Sequence, residues 1–340
     1  MEKILVIQTA FIGDAILTLP MVQKLKTIYT ESEIDVLAIP STAEIFSASP
    51  YVNKTVLFDK RGKHKSLPSL IKFIKELKKN SYSVIYSPHR SLRTSFIVMM
   101  LGVKETYGFN NSSFPYVYKH LIRYIPHHHE VQRNLDLIGY YYGEDWKILP
   151  DLHISEQQET RINNFISENK LVGKIAAIAP GSIWNTKKYP EIYFKDIINY
   201  FREKLFSVIL IGSEKDKSIC EDIAKDFTDG VVSSAGKFSI VETIGLLKRT
   251  KIIISNDSAP SHFGVCANIP VLTIYCSTVP EFGFSPYNSG SSFVSLNGLE
   301  CKPCGIHGYN KCPIKTFVCG LSLKPQAVIS EIEGIVNDSV

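Results

Sequence analysis

No stretch of this 340-residue chain approaches 18 uninterrupted apolar residues, so the sequence offers no candidate for a membrane-spanning helix. No strand-like run leads into an intact G-x-G-x-x-G, which argues against a nicotinamide or flavin enzyme. No segment combines basic and aromatic residues in a nucleic-acid recognition motif, so nucleic acid is not an expected partner. The start, Met1-Glu2-Lys3 followed by Ile4-Leu5-Val6-Ile7, is too short for a secretory signal and lacks a cleavage pattern. Cysteine is sparse and odd in number, at seven, in keeping with a reducing compartment. These absences lead to the expectation of a cytoplasmic protein.

The chain is 44% hydrophobic and 21% charged, the balance of a soluble globular protein, and is long enough for two domains with separate cores. Strand-like and helix-like runs alternate. Lys3–Gln8, Ile34–Ile39, Thr55–Phe58 and Val84–Ser87 are strand candidates. Helices are expected over 15–29, 67–79, 93–101 and 131–142. After Pro150 a second series begins, with strands expected over 174–179, 208–211, 252–255 and 271–275. Helices are expected over 155–169, 191–203, 239–248 and about 325–337. Such alternation predicts α/β domains with doubly wound parallel sheets, the linker falling near 145–152.

The segment Ser255-Asn256-Asp257-Ser258-Ala259-Pro260-Ser261-His262 follows the apolar run Ile252-Ile253-Ile254. Ser258 suits a cap and Pro260 the first turn of a helix. A strand that ends in small polar residues and opens a helix can hold an anion at the helix start, unless it is simply a capped helix. His262 lies on that helix and serves either packing or a ligand. A second such place follows the strand ending at Ala179: Pro180-Gly181-Ser182, then Thr186-Lys187-Lys188-Tyr189-Pro190. A lysine there can neutralise a diphosphate; the alternative is an ordinary surface loop. Glu214 follows the next strand, where a carboxylate often holds a ribose hydroxyl, or it opens a solvated helix. Near the N-terminus, Gly13 permits a close backbone turn. Asp14 is either a helix cap or a general base.

Charge is uneven. Between Lys54 and Arg93 there are eleven Lys/Arg and two acidic residues, against +5 for the whole chain. This block suits an anionic partner, with a solvated helix face as the alternative for each lysine singly. Cys301-x2-Cys304-x7-Cys312-x6-Cys319 has one C-x-x-C pair where a zinc ribbon has two. A structural zinc, a packed thiol cluster or disulfides remain open for it. His127-His128-His129 do not share a face and are expected to form a polar loop that touches an anionic ligand.

Together these pieces resemble the ADP-heptose:lipopolysaccharide heptosyltransferases of glycosyltransferase family 9. The resemblance lies in Gly13-Asp14 with Leu17-Thr18-Leu19-Pro20, Pro180-Gly181-Ser182 with Lys187-Lys188-Tyr189-Pro190, Ser255–His262, and Pro280-Glu281-Phe282. The Asn-Asp-Ser form and the last segment look closer to the heptosyltransferase II branch. The resemblance implies a GT-B fold, two Rossmann-like domains facing a central cleft. An acceptor domain is expected over 1–150, a donor domain over 151–322, and a C-terminal helix in 323–340 packing back on the first domain. It further implies an inverting, metal-independent transfer of heptose from ADP-heptose to the lipopolysaccharide inner core, with no cofactor required. Asp14 would be the base. Gly13, Ser182, Thr186, Lys187, Glu214, Asp257, Ser258, Ala259 and His262 would bind the donor. Asp257, itself negative, would face sugar hydroxyls or brace the loop. The enzyme would be a monomer, peripheral to the inner membrane. Two departures stand out: Ala259 and Tyr189 occupy positions where the family often has Gly and Trp. Another nucleotide sugar, or a catalytically silent glycolipid-binding protein of this fold, are the alternatives.

Overall fold

A computed structural model describes residues 2–141, 143 and 145–337. The chain divides into two compact units, Met1–His153 and Ile154–Val340. Tyr142, the last residue of one expected helix, and residues 338–340 of the expected C-terminal segment lie outside the described residues.

The strands of the first unit are β1 (Lys3–Gln8), β2 (Glu33–Ala38), β3 (Lys54–Leu57), β4 (Val84–Ser87), β5 (Glu105–Phe109) and β6 (His120–Ile122). They pair in parallel in the order β3-β2-β1-β4-β5-β6. The second unit has β7 (Ile175–Ala179), β8 (Ser207–Leu210), β9 (Val231–Ser233), β10 (Ile252–Asn256), β11 (Val271–Tyr275) and β12 (Ser292–Ser295). Its parallel order is β12-β11-β10-β7-β8-β9. Counted from the first strand of each unit, the first sheet has the order 3-2-1-4-5-6, that of a doubly wound dinucleotide-binding sheet. The second, read from its far edge, runs 3-2-1 through β9, β8 and β7 and continues 4-5-6 through β10, β11 and β12, the same order.

The central strands are apolar because helices cover both faces. In β1 all but Lys3 are buried, and β7, β10 and β11 are buried throughout. Each unit has its own core: Leu5, Ile7, Phe58, Leu70 and Ile97 share one cluster, and Ile178, Phe194, Ile198, Leu210 and Ile254 another. The helix Pro325–Asn337 places its buried Val328, Ile332 and Ile335 in the core of the second unit.

In a sheet of this order the crevice for ligands opens beyond the carboxyl ends of the strands, where the winding reverses. That point lies between β1 and β4 in the first unit and between β7 and β10 in the second.

Candidate active site

The segments after β1 and β4 form the first switch point. The helix Ile12–Ile28 begins four residues after β1, with Phe11 as N-cap and Asp14 in its first turn. Gly13 lies inside this turn with helical geometry rather than in a special bend. The Phe11 amide donates to Asp14 Oδ2 at 3.2 Å, and Thr18 Oγ1 donates to the Asp14 carbonyl at 2.7 Å. The candidate base thus also accepts from the amide of the N-cap residue. Its surroundings raise the Asp14 carboxyl above the ordinary aspartate range. Burial is the main cause, opposed by the Phe11 and Asp14 amides and by Arg90.

Residues after β4 complete this end. His89 Nδ1 lies 2.9 Å from Thr9 Oγ1 and 2.7 Å from Thr94 Oγ1. Burial, helped by Lys60 and Arg90, pushes His89 down to about 4, so it is neutral near pH 7. Lys60 Nζ donates to the Thr9 carbonyl at 2.6 Å, and Arg93 Nη1 to the Lys60 carbonyl at 2.8 Å. Part of the basic block is therefore anchored beside the β1 turn. Lys72, Lys75, Lys78 and Lys79 are exposed on and just after the helix Leu67–Lys78, whose Leu70, Ile74 and Leu77 face the core. The three histidines have different partners, although the His127 and His128 rings meet edge to face at 5.2 Å. His127 is exposed, His128 Nδ1 lies 2.9 Å from Asp136 Oδ2, and His129 caps the helix Glu130–Leu137 through Val131 N at 3.2 Å. His128 and His129 thus serve the fold.

At the second switch point Lys187 Nζ lies 2.6 Å from Asp257 Oδ2, with little of either side chain exposed. Thr278 Oγ1 donates to the same oxygen at 2.6 Å. The expected pair of site residues is therefore in direct contact, and Asp257 braces the lysine. Asn256, at the end of β10 and fully buried, ties the two loops together. Its Nδ2 donates to the Pro180 carbonyl at 2.8 Å and the Gly181 carbonyl at 3.3 Å, and its Oδ1 accepts from Tyr189 N at 2.9 Å.

Ser258 has a different use from the cap expected of it. Ser258 occupies the N-cap of the helix Ala259–Ala267, yet its hydroxyl makes no capping bond. Ser255, Ser258 and Ser261 hydroxyls all donate to the Asn256 carbonyl, at 2.7, 3.3 and 3.2 Å. They fix the turn, while Ala259 at the helix start remains partly exposed. His262 is buried and its Nδ1 has no hydrogen-bond partner. Burial lowers it to about 4, with Asp257 raising and Lys187 lowering it, which places its ring in the field of that pair.

Thr186 is a clamp. It is 4% exposed, exchanges bonds with the Tyr309 backbone at 3.0 and 2.8 Å, and accepts from Ser277 Oγ at 3.0 Å. The cysteine-bearing loop thereby lies against the lysine turn. Gly308 (φ +75°) sits where a Cβ would come within 2.9 Å of Thr186 Oγ1 and 3.3 Å of Lys187 Cγ. His307 stacks on Trp184 at 6.2 Å. All seven thiols are free. Among the described residues no group of three or more His, Cys, Asp or Glu is arranged to hold a metal ion. Cys301, Cys304 and Cys312 lie in the irregular segment after β12, and Cys319 lies in the short helix Val318–Leu321 with its side chain in the second core. Ser182 is partly exposed at the same turn. Glu214 is exposed, 3.8 Å from Lys217 Nζ. Its neighbour Asp216 does the local work, accepting from Ser213 N at 2.9 Å and Ser213 Oγ at 2.6 Å.

Sequence motifs do not point to His89, Arg90 or Thr278, which reach the two switch points through contacts distant in sequence. Asn256 stands inside a quoted motif, but its bonds to the Pro180 turn are not legible from that motif.

Residues 70–310 match the family model for glycosyltransferase family 9 (heptosyltransferase), well over half of the chain. The chain belongs to glycosyltransferase family 9. A relative is lipooligosaccharide heptosyltransferase 2 of Haemophilus influenzae, 24% identical over 297 residues, covering 82% of this chain and 85% of that protein. Among solved structures, a family 9 glycosyltransferase from Veillonella parvula superposes with a TM-score of 0.87 at 20% identity, covering 99% and 98% of the two chains. Escherichia coli ADP-heptose lipopolysaccharide heptosyltransferase II superposes with a TM-score of 0.80 at 20% identity, covering 99% of each. These superpositions place the family 9 chain in the GT-B fold, each unit a Rossmann-like sheet. The matched residues include the Lys187–Asp257 site and begin beyond Asp14. Among the described residues no helix is long and apolar enough to cross a membrane.

Proposed function

We propose that this glycosyltransferase moves heptose from ADP-heptose to the inner core of lipopolysaccharide, with inversion at the anomeric carbon and Asp14 as general base. The observation that carries the reading is that both sheets present chemistry at their switch points: a carboxyl of raised basicity after β1, and a braced lysine beside a helix start after β10. The first unit takes the acceptor and the second the donor.

In this reading the Asp14 carboxylate accepts the proton of an acceptor hydroxyl. The freed electron pair attacks the anomeric carbon from the face opposite the diphosphate, and the bond from that carbon to the diphosphate oxygen breaks. ADP leaves with the bonding electrons, its growing charge met by Lys187 and the start of the helix Ala259–Ala267. Asp257 and Thr278 hold the lysine in place until the diphosphate arrives. Ser182 and Ala259 line the approach on the second unit, Gly13 serves the donor from the first, His262 supplies a neutral imidazole, and Glu214 reaches the ribose. No metal takes part, since lysine and helix dipole supply the positive field.

The acceptor is anionic and lipid-anchored, which fits Lys60 and Arg93 near the β1 turn and the exposed lysines of the helix Leu67–Lys78. The protein then works as a monomer on the cytoplasmic face of the inner membrane. The test is Asp14→Asn: transfer is lost while ADP affinity stays within about twofold. Full turnover in that variant removes Asp14 as the base. A thermal-shift panel of ADP-, GDP- and UDP-sugars tests the donor, with stabilisation by ADP-sugars alone expected.

A further inference from the structure

The cysteine-bearing segment after β12 crosses the end of β11 before it reaches the lysine turn. Lys302 Nζ donates to the Tyr275 carbonyl at 2.9 Å, and Cys304 N donates to the Ser277 carbonyl at 2.8 Å. Farther along, Tyr309 N donates to Thr186 Oγ1 and Thr186 N to the Tyr309 carbonyl. Asn185 Nδ2 donates to the Asn310 carbonyl at 3.2 Å. Gly308 is buried so close to this turn that a Cβ would lie 3.3 Å from Lys187 Cγ. Its neighbour His307 is therefore fixed beside Lys187. The His307 ring stacks on the half-buried Trp184, with centroids 6.2 Å apart and planes inclined by 22°. Their chain neighbours Ile183 and Ile306 are exposed as well.

An aromatic surface beside a few placed polar groups is the composition of a small-ligand subsite. The order of the strand ends says which part of a donor would meet it. Glu214 follows β8 and Lys187 follows β7, while Asp257 and Thr278 follow β10 and β11 on the other side of β7. With ribose at Glu214 and diphosphate at Lys187, the sugar of the donor extends toward β10 and β11, the side from which the cysteine-bearing segment brings His307. We propose that Trp184 and His307 form an aromatic platform for the transferred heptose, a specificity-determining subsite of the donor site. The proposal rests on the reading of Lys187 as the partner of the donor diphosphate.

A pyranose ring is polar around its rim and apolar on the faces where its C–H bonds stand. Laid on an aromatic surface, such a face removes apolar area of both partners from water. The rim hydroxyls then turn to hydrogen-bonding groups, and the Asp257 carboxylate, braced 2.6 Å from Lys187 Nζ, stands on the sugar side of the lysine to receive them. Partial burial lowers the His307 imidazole below its ordinary range, Lys187 adds to the shift, and Asp257 opposes it. The ring is thus neutral near pH 7 and offers stacking surface rather than charge. ADP alone has no sugar beyond its diphosphate and does not reach the platform. The two ligands therefore separate this subsite from the nucleotide site.

The experiment is calorimetric titration of ADP and of ADP-heptose into the wild type, Trp184→Ala, Trp184→Phe and His307→Ala, with the acceptor KM measured beside it. The Kd for ADP-heptose is expected to rise about tenfold in Trp184→Ala, the loss of roughly one covered ring face. It rises in His307→Ala as well and stays near the wild-type value in Trp184→Phe, which keeps an aromatic face. The Kd for ADP stays within about twofold in all three variants. An equal loss of ADP and ADP-heptose affinity marks a merely structural role for the turn and overturns the platform. Unchanged ADP-heptose affinity with a raised acceptor KM assigns the rings to the acceptor and overturns it too. If Trp184→Ala fails to fold, His307→Ala decides by the same two affinities. A wild type that binds neither ligand overturns the reading of the donor site itself, whereas a wild type that binds both, with variants unchanged, overturns the platform alone.

Discussion

Asn256 carries more of the proposed donor site than its size suggests. One amide side chain holds the carbonyls of Pro180 and Gly181 and the amide of Tyr189, and its own carbonyl gathers three serine hydroxyls. Removing it leaves buried polar groups without partners, at about 1–3 kcal/mol for each group stranded. Asn256→Ala is expected to lower stability by roughly that amount in urea unfolding and to weaken ADP binding, since it frees the turn that bears Lys187. Asp257→Asn should differ. It keeps the shape but removes the charge that holds Lys187, so the lysine is less firmly placed, and a rise in the donor KM with little change in folding stability is expected. Lys187→Ala weakens donor binding itself, and equal donor affinity in calorimetry would remove the lysine from the site. At His262 the expected effect is on stability against pH. Its folded value, about 4, lies below the ordinary 6.5. The unfolded chain therefore binds a proton between these values that the folded chain refuses, and stability falls as pH drops from about 6.5 to about 4. His262→Gln should flatten that part of a stability–pH curve.

The helix Ala259–Ala267 lies close against its strands because of Gly264. A Cβ there would sit 2.5 Å from Val271 Cγ2 and 2.6 Å from Ile253 Cγ2. Gly264→Ala is expected to cost about 1–3 kcal/mol through overpacking, read as a lower urea midpoint, and to displace the helix start from the lysine. At this scale most central elements were legible. β1, β4, β7, β8, β10 and β11 are largely apolar runs, and Ser239 with Glu242 makes the capping box that its spacing predicts. The unforeseen strands have physical reasons. β6, β9 and β12 are short, partly exposed edges. β5 contains Glu105 and Gly108, and a Cβ on Gly108 would meet the Tyr118 ring at 2.6 Å. Its glycine is a packing requirement that looks like a loop signal. The candidate site was legible where a turn carries glycine, serine and lysine in order. Thr278 escaped because its contact with Asp257 joins segments 21 residues apart, which no local pattern records.

As a whole the chain repeats one design: two sheets of the same strand order, each with a candidate site where the winding reverses. This repetition made the α/β architecture readable from alternation alone, while the separate roles of the units rest on the residues at each switch point. The exposed lysines of the helix Leu67–Lys78 should give salt-sensitive binding to anionic vesicles, as the Debye length shrinks from about 10 Å at 0.1 M to about 3 Å at 1 M salt. Lys72→Glu with Lys75→Glu should weaken sedimentation with phosphatidylglycerol vesicles and leave transfer to a soluble acceptor unchanged. The most direct test of the central claim is mass-spectrometric detection of heptose transfer from ADP-heptose to a truncated inner-core acceptor, in the wild type, Asp14→Asn and Lys187→Ala. The account predicts one heptose added by the wild type, none by Asp14→Asn, and a reduced yield at low donor concentration for Lys187→Ala. Transfer by Asp14→Asn at the wild-type rate, or no transfer of heptose by the wild type, would contradict it.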